Sequence, residues 1–136
     1  MVEEGHRFPE RTFTVDPGRV EEFVLATGAE PAPGWSARPG AEVPLGFLMY
    51  VTTYGADAVH DALELDMLRT VYGGTDAEYL HPVHVGDVLT VRPHVSKIVE
   101  KNGSRGRLLL VELTVEYLDA GGDVAVREKS TTVQRG

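Results

Sequence analysis

The side chains able to move protons or hold ligands in this 136-residue chain fall into a few groups. Cysteine is absent, which removes thiolate nucleophiles, thiolate metal sites and disulfides together. Asp57, His60 and Asp61 sit at helical spacing, and a carboxylate three positions from a histidine can orient an imidazole for acid–base work. The same pattern is also what a solvated helix end looks like. Tyr50 and Tyr54 are one helical turn apart and could donate hydrogen bonds to a ligand or simply pack with satisfied hydroxyls. Asp76 and His81 give an Asp-x-x-x-x-His spacing, readable as a dyad or as ordinary polar groups on a surface strand. His81 and His84 form a His-x-x-His pair with no third ligand in reach, so no metal and no cofactor is expected. His94 lies inside a strand-like stretch and reads as structural. Arg105 and Arg107, beside Lys101, suit an anionic group such as a phosphate, or are a solvated hairpin tip.

The elements that position these groups follow from pattern. Asp16-Pro17-Gly18-Arg19 opens a first helix, with Asp16 as N-cap and Pro17 in the first turn. Val20, Phe23 and Val24 give it an apolar side, and Gly28 ends it. From Ala29 to about Pro44, four prolines and two glycines dictate a long loop around the only tryptophan, Trp35. A second, central helix is expected from about Gly46 to Leu63. Phe47, Leu48, Val51, Gly55, Ala58, Val59 and Ala62 share one arc; Tyr50, Thr53, Tyr54, Asp57, His60 and Asp61 share the other. The small residues of the apolar arc allow a sheet to approach closely.

The chain from about Thr70 onward is strand-rich. Long strands are expected over 87–99, 108–118 and 124–133. A polar turn, 100–106, with Asn102-Gly103 inside it joins the first two, and 119–123 joins the last two. In the second strand Val111, Leu113, Val115 and Tyr117 alternate with Glu112, Thr114 and Glu116. Two helices followed by an antiparallel meander give an α+β class, one central helix packed on a curled sheet, in a single domain spanning 1–136.

Thirteen Lys and Arg stand against 21 Asp and Glu, a formal charge of −8, which argues against a nucleic-acid surface. No apolar run approaches the length of a membrane span, and the acidic N-terminal residues do not form a secretory signal, so a cytoplasmic location is expected.

Three stretches resemble a known family. They are Gly5-His6-Arg7-Phe8-Pro9 with Phe13-Thr14-Val15, the first helix Val20–Gly28, and Val71-Tyr72-Gly73-Gly74 through Tyr79-Leu80-His81-Pro82 to Gly86-Asp87-Val88-Leu89. Together they resemble the MaoC-like, fatty-acid-synthase-like (3R)-hydroxyacyl dehydratases, and most closely their N-terminal-half, non-catalytic-type hot dog domains. The resemblance runs from about Gly5 to Val133. It implies the hot dog fold, an antiparallel sheet wrapped around one helix. It also implies an acyl-thioester substrate on coenzyme A or acyl carrier protein, and a homodimer or a heterodimer with a catalytic hot dog chain. The thioester carbonyl is implied to sit near the start of the central helix, at the amides of Gly46 and Phe47.

Catalytic members of that family carry an Asp and a His five positions apart between the first and central helices. From Ala29 to Leu45 this chain has neither; its only acids there are Glu30 and Glu42. Where relatives show His-Gly-Glu-Gln, this chain has Tyr72-Gly73-Gly74-Thr75. The sequence therefore points to a component of a 3-hydroxyacyl-thioester dehydratase or enoyl hydratase, an acyl-binding half without its own Asp/His pair. Tyr50, Tyr54, His60 and His81 are its candidate catalytic groups, and Gly46, Phe47, Arg105 and Arg107 its candidate substrate contacts. Alternatives on the same fold are a thioesterase or polyketide-tailoring dehydratase or cyclase, and a non-enzymatic acyl-binding module.

Overall fold

The computed structural model describes residues 2–52 and 61–136, with the side chains of Tyr50, Val51, Thr52 and Met67 outside the description. Strand β1 (Arg11–Thr14) leads into helix α1 (Pro17–Thr27). The Asp16 side chain accepts from Gly18 N, and Gly28 closes the helix in the left-handed region at φ 70°, its amide donating to Val24 O. Both ends are those expected from the residue types. Val20 and Val24 are buried, whereas Leu25 on the other side of the helix faces solvent.

The loop from Ala29 to Pro44 has no helix, but its end is pinned. Gly40 N donates to Val85 O, Val85 N to Ala41 O and Val43 N to Val83 O, and Glu42 bridges His84. The Trp35 indole N–H donates to Glu42 O at 2.9 Å, tying the middle of the loop to this short ladder. Helix α2 (Phe47–Thr52) is the start of the expected central helix; residues 61–63 are also helical, and the part between lies outside the described residues.

A 3-10 turn, Met67–Arg69, capped by Asp66, leads into β2 (Thr70–Tyr79). Then come β3 (Val88–Gly103), β4 (Gly106–Leu118) and β5 (Val124–Arg135). They form one antiparallel sheet in the order β1-β3-β4-β5-β2. With α2 packed on one face, this is the hot dog arrangement. Among the described residues, no helix is long and apolar enough to cross a membrane.

The β3–β4 turn corrects the expectation. Asn102 and Gly103 belong to the ladder, opposite Arg107 and Gly106, so the turn proper is Ser104-Arg105. The positive φ is supplied by Gly106, at 115°, and not by an Asn-Gly type I′ turn. The β4–β5 turn is built by Asp119, whose Oδ1 accepts from the amides of Gly121 and Asp123.

The two faces of the sheet differ in chemistry. On the inner face Phe47, Leu48, Leu89, Val91, Val115, Tyr117 and Val126 form the main core, with Phe13, Phe23 and Trp35 against it. Leu63, Val95 and Val111 form a second cluster nearer the β3–β4 turn. The outer face carries a row of alternating charges across β2, β5, β4 and β3 to the residue before β1: Glu78, Arg127, Glu116, Arg92 and Glu10. Arg127 reaches Glu78 at 3.3 Å and Glu116 at 3.1 Å, and Arg92 reaches Glu10 at 2.6 Å. Arg127→Glu would replace two attractive contacts by two repulsive ones. It is expected to cost about 1–2 kcal/mol in urea unfolding at low salt, and less at high salt. Unchanged stability at low salt would mean the row contributes nothing.

Candidate functional site

A cavity of about 210 Å³ opens where α2 meets the far end of β2. Its walls come from the loop end Glu42–Leu45, from Leu48 on α2, from Tyr79–Val83 and from Val126 on β5. Each element is held there for a local reason. Leu80 N and His81 N both donate to Ala125 O, so the chain leaving β2 stays against β5. The Asp87 carboxylate accepts from His84 N at 2.9 Å, and Asp87 N donates to His84 O, closing the turn that feeds β3. Gly86, at φ 96°, makes that turn possible and donates to Val15 O. The Gly-Asp of the sequence block is thus a turn that fixes one wall.

Among the described residues the polar side chains on this largely apolar cavity are Glu42, Tyr79 and His81. Tyr79, 43% exposed, directs its hydroxyl to Gly46 N at 3.1 Å. Phe47 N donates to Pro44 O at 3.3 Å. Both amides considered for a thioester carbonyl therefore have acceptors within the chain, and the Gly46 amide has a hydroxyl oxygen that an incoming carbonyl oxygen could replace. Gly46 sits at φ 92°, where a side chain would be strained, although a Cβ there would meet Phe23 Cζ only at an ordinary 3.7 Å.

Behind the Leu48 and Val126 wall lies a buried polar group. Glu128 is 1% exposed on the inner face of β5; Tyr117, wholly buried, donates to Leu48 O at 3.2 Å and lies 3.5 Å from Glu128 Oε2. The hydroxyl of Tyr117 thus ties the sheet to the first turn of α2.

The sequence candidates are distributed as follows. His81 lines the cavity, and Gly46 adjoins it through Tyr79. Phe47 is fully buried, its ring edge-on to Phe23 at 5.8 Å, so only its backbone is near the mouth. Tyr54 and His60 lie outside the described residues, as does the Tyr50 side chain. Asp76 is in mid-β2 opposite Lys129, away from His81 beyond the strand end. Among the described residues the histidine paired with a carboxylate is His84, with Asp87 at 3.8 Å, not His81. No cluster of three His, Asp or Glu able to hold a metal occurs among the described residues. Arg105 and Arg107 are at the opposite end of the sheet. Arg107 is ten residues before Tyr117 on β4, about 33 Å along the strand from the cavity's end, and it is paired with Glu100. Glu42 and Tyr79 were not singled out from sequence; the signal available was Tyr79's place in the Tyr-Leu-His-Pro block that turns into the cavity wall.

Residues 3–128 match the family described as FAS1-like, dehydratase domain region. No curated protein matches this chain. Among solved structures, a chain of the C-terminally truncated HadBC (3R-hydroxyacyl-ACP dehydratase) complex of Mycobacterium tuberculosis is similar, with TM-score 0.77 and 19% identity over 96% of both chains. The R-hydratase PhaJ1 of Pseudomonas aeruginosa has TM-score 0.67 and 16% identity, over 98% of this chain and 83% of that one. A chain of the ChsH1-ChsH2 complex of Mycobacterium tuberculosis has TM-score 0.63 and 18% identity, over 99% of this chain and 100% of that one.

Proposed function

Since the chain belongs to the FAS1-like dehydratase-region family, we propose that it is the acyl-binding half of a (3R)-3-hydroxyacyl-thioester dehydratase or enoyl hydratase. The observation that carries this reading is a cavity placed as a hot dog acyl site should be, in a chain whose 29–45 segment has no Asp and no His. Dehydration needs a base for the α-proton and an acid for the departing hydroxyl. Here the cavity offers a carboxyl, an imidazole and a phenol on separate walls, with no carboxylate paired to His81 among the described residues. The acid–base pair then comes from a second hot dog chain. The ten-residue edge strand β2, with Val71 and Tyr72 exposed, is the surface that would join it. HadBC and ChsH1-ChsH2 are complexes of this kind of chain, which supports pairing.

Gly46 and Tyr79 have roles in this reading. The thioester carbonyl takes the place of the Tyr79 hydroxyl on the Gly46 amide. Tyr79→Phe should therefore leave acyl-thioester affinity unchanged or raise it by up to about tenfold, since a donor is freed. Weaker binding in calorimetric titration would instead make the Tyr79 hydroxyl a substrate contact. The test of the whole reading is enoyl-thioester hydration by the chain alone and with a catalytic hot dog partner. Binding without turnover alone, and turnover in the pair, is expected. Full activity of the isolated chain overturns it. Release of free thiol would mark a thioesterase, and binding with no turnover under any pairing would mark a binding module.

A further inference from the structure

The cavity runs from an exposed rim to a buried floor. Leu45, Tyr79 and Leu80 are exposed and form its mouth. Leu48, Val83 and Val126 are buried and form its deep end. Gly46, whose amide faces the Tyr79 hydroxyl, belongs to the rim. A thioester carbonyl on that amide stands at the mouth, and the buried direction open to its acyl chain is inward, toward Val126.

The floor is backed by a packed polar contact and not by further apolar space. Val126 stands directly opposite Tyr117 on β4, and Glu128 is two residues farther along β5 on the same face. The Tyr117 hydroxyl donates to Leu48 O at 3.2 Å and lies 3.5 Å from Glu128 Oε2. Both side chains are buried. An acyl chain that pushed past Val126 would have to displace the bond tying the first turn of α2 to the sheet. It would also bring methylenes against a buried carboxyl group. Interiors packed to the density of organic crystals resist such insertion, so the depth of the cavity is set by its floor.

The volume of about 210 Å³ then decides what fits. An apolar protein cavity of about 150 Å³ holds one benzene, which is about 25 Å³ for each carbon. At that density the space takes about eight carbons. We infer that the site is built for short acyl groups, of no more than about eight carbons, and that Val126 is the residue that sets the limit. The inference rests on the acyl-thioester reading of the cavity and adds to it the class of acyl group.

The test titrates the purified chain with straight, saturated acyl-coenzyme A thioesters of four to twelve carbons, in single-carbon steps, by calorimetry. Saturated acyl groups are neither hydrated nor dehydrated, so affinity is read free of turnover. Affinity should rise about fourfold per carbon up to about eight carbons, then level or fall. V126A takes two methyl groups from the floor and should move the break about two carbons longer. V126I adds one and should move it about one carbon shorter. Melting temperature checks that each variant is folded, and L48V, which opens the same floor from α2, stands in for V126A should that variant not fold. A rise that continues unbroken to twelve carbons overturns the length limit and leaves the acyl-thioester reading standing. A break near eight carbons that none of the floor variants moves overturns the role of Val126. No binding at any length is a failure of the acyl-thioester reading itself and overturns both.

Discussion

Alone, the chain is expected to hydrate an enoyl thioester at least about 10⁴-fold more slowly than in a pair with a hot dog chain that carries the Asp and His. Each positioned acid or base contributes about 10²–10⁴-fold, and two that act as a unit are lost together rather than additively. At about 1.4 kcal/mol per decade, that is more than about 5 kcal/mol of barrier. The cavity of the single chain would still bind the acyl group, so thioester affinity should survive while turnover does not. The rate is read from loss of the enoyl absorbance at matched site concentrations. Turnover by the isolated chain within tenfold of the pair would refute the expectation. It would then point to Glu42 and His81, which share the cavity, as the acid–base groups, to be checked by Glu42→Gln and His81→Gln.

Phe47→Ala is expected to destabilise the fold by about 3–5 kcal/mol. The ring is wholly buried where three elements meet, 5.8 Å from Phe23 of α1 and 6.4 Å from Phe13 of β1. Removing it leaves a cavity at the start of α2, next to Gly46. Against a total stability of about 5–15 kcal/mol, the loss is about a fifth or more. It should appear as a fall of roughly 10–20 °C in melting temperature for a domain of this size. Leu68→Ala is the control, since Leu68 is 97% exposed and should change stability by less than about 0.5 kcal/mol. A loss below about 1 kcal/mol at Phe47 would show that the junction repacks freely.

The long strands and the first helix were legible in the residues because each has a strong local signal. Asp16, Pro17 and Gly28 fix α1, and the alternation from Val111 to Tyr117 fixes β4. The β3–β4 turn was misread because Asn102-Gly103 is a strong hairpin signal, while the sheet instead uses Gly106 for its positive φ. β2 was only outlined as strand-rich. Its exposed edge and Gly73-Gly74 give no apolar alternation, and its register with β5 shifts between Tyr72 and Gly74. The cavity was half legible. His81 and Gly46 could be marked from sequence, but Glu42, Tyr79 and Val126 converge only through pairings between distant segments, Glu42 with His84 and Tyr79 with Val126. Such contacts leave no local trace.

The way the strands are joined also orders the assembly of the sheet in time. β3, β4 and β5 are linked by turns of two and five residues, so their ladders close short loops at little entropic cost. β1 must find β3 across nearly eighty residues, and β2 must find β5 across 47 to 64. Such non-local pairings are the slow step of β-sheet folding. The three-strand meander is thus expected to form first as the nucleus, with the two edges docking later. β2, which completes the cavity wall and is the edge proposed for pairing, then arrives among the last elements. The cavity and the edge proposed to meet a second chain would mature together, late in folding, on a scaffold already built.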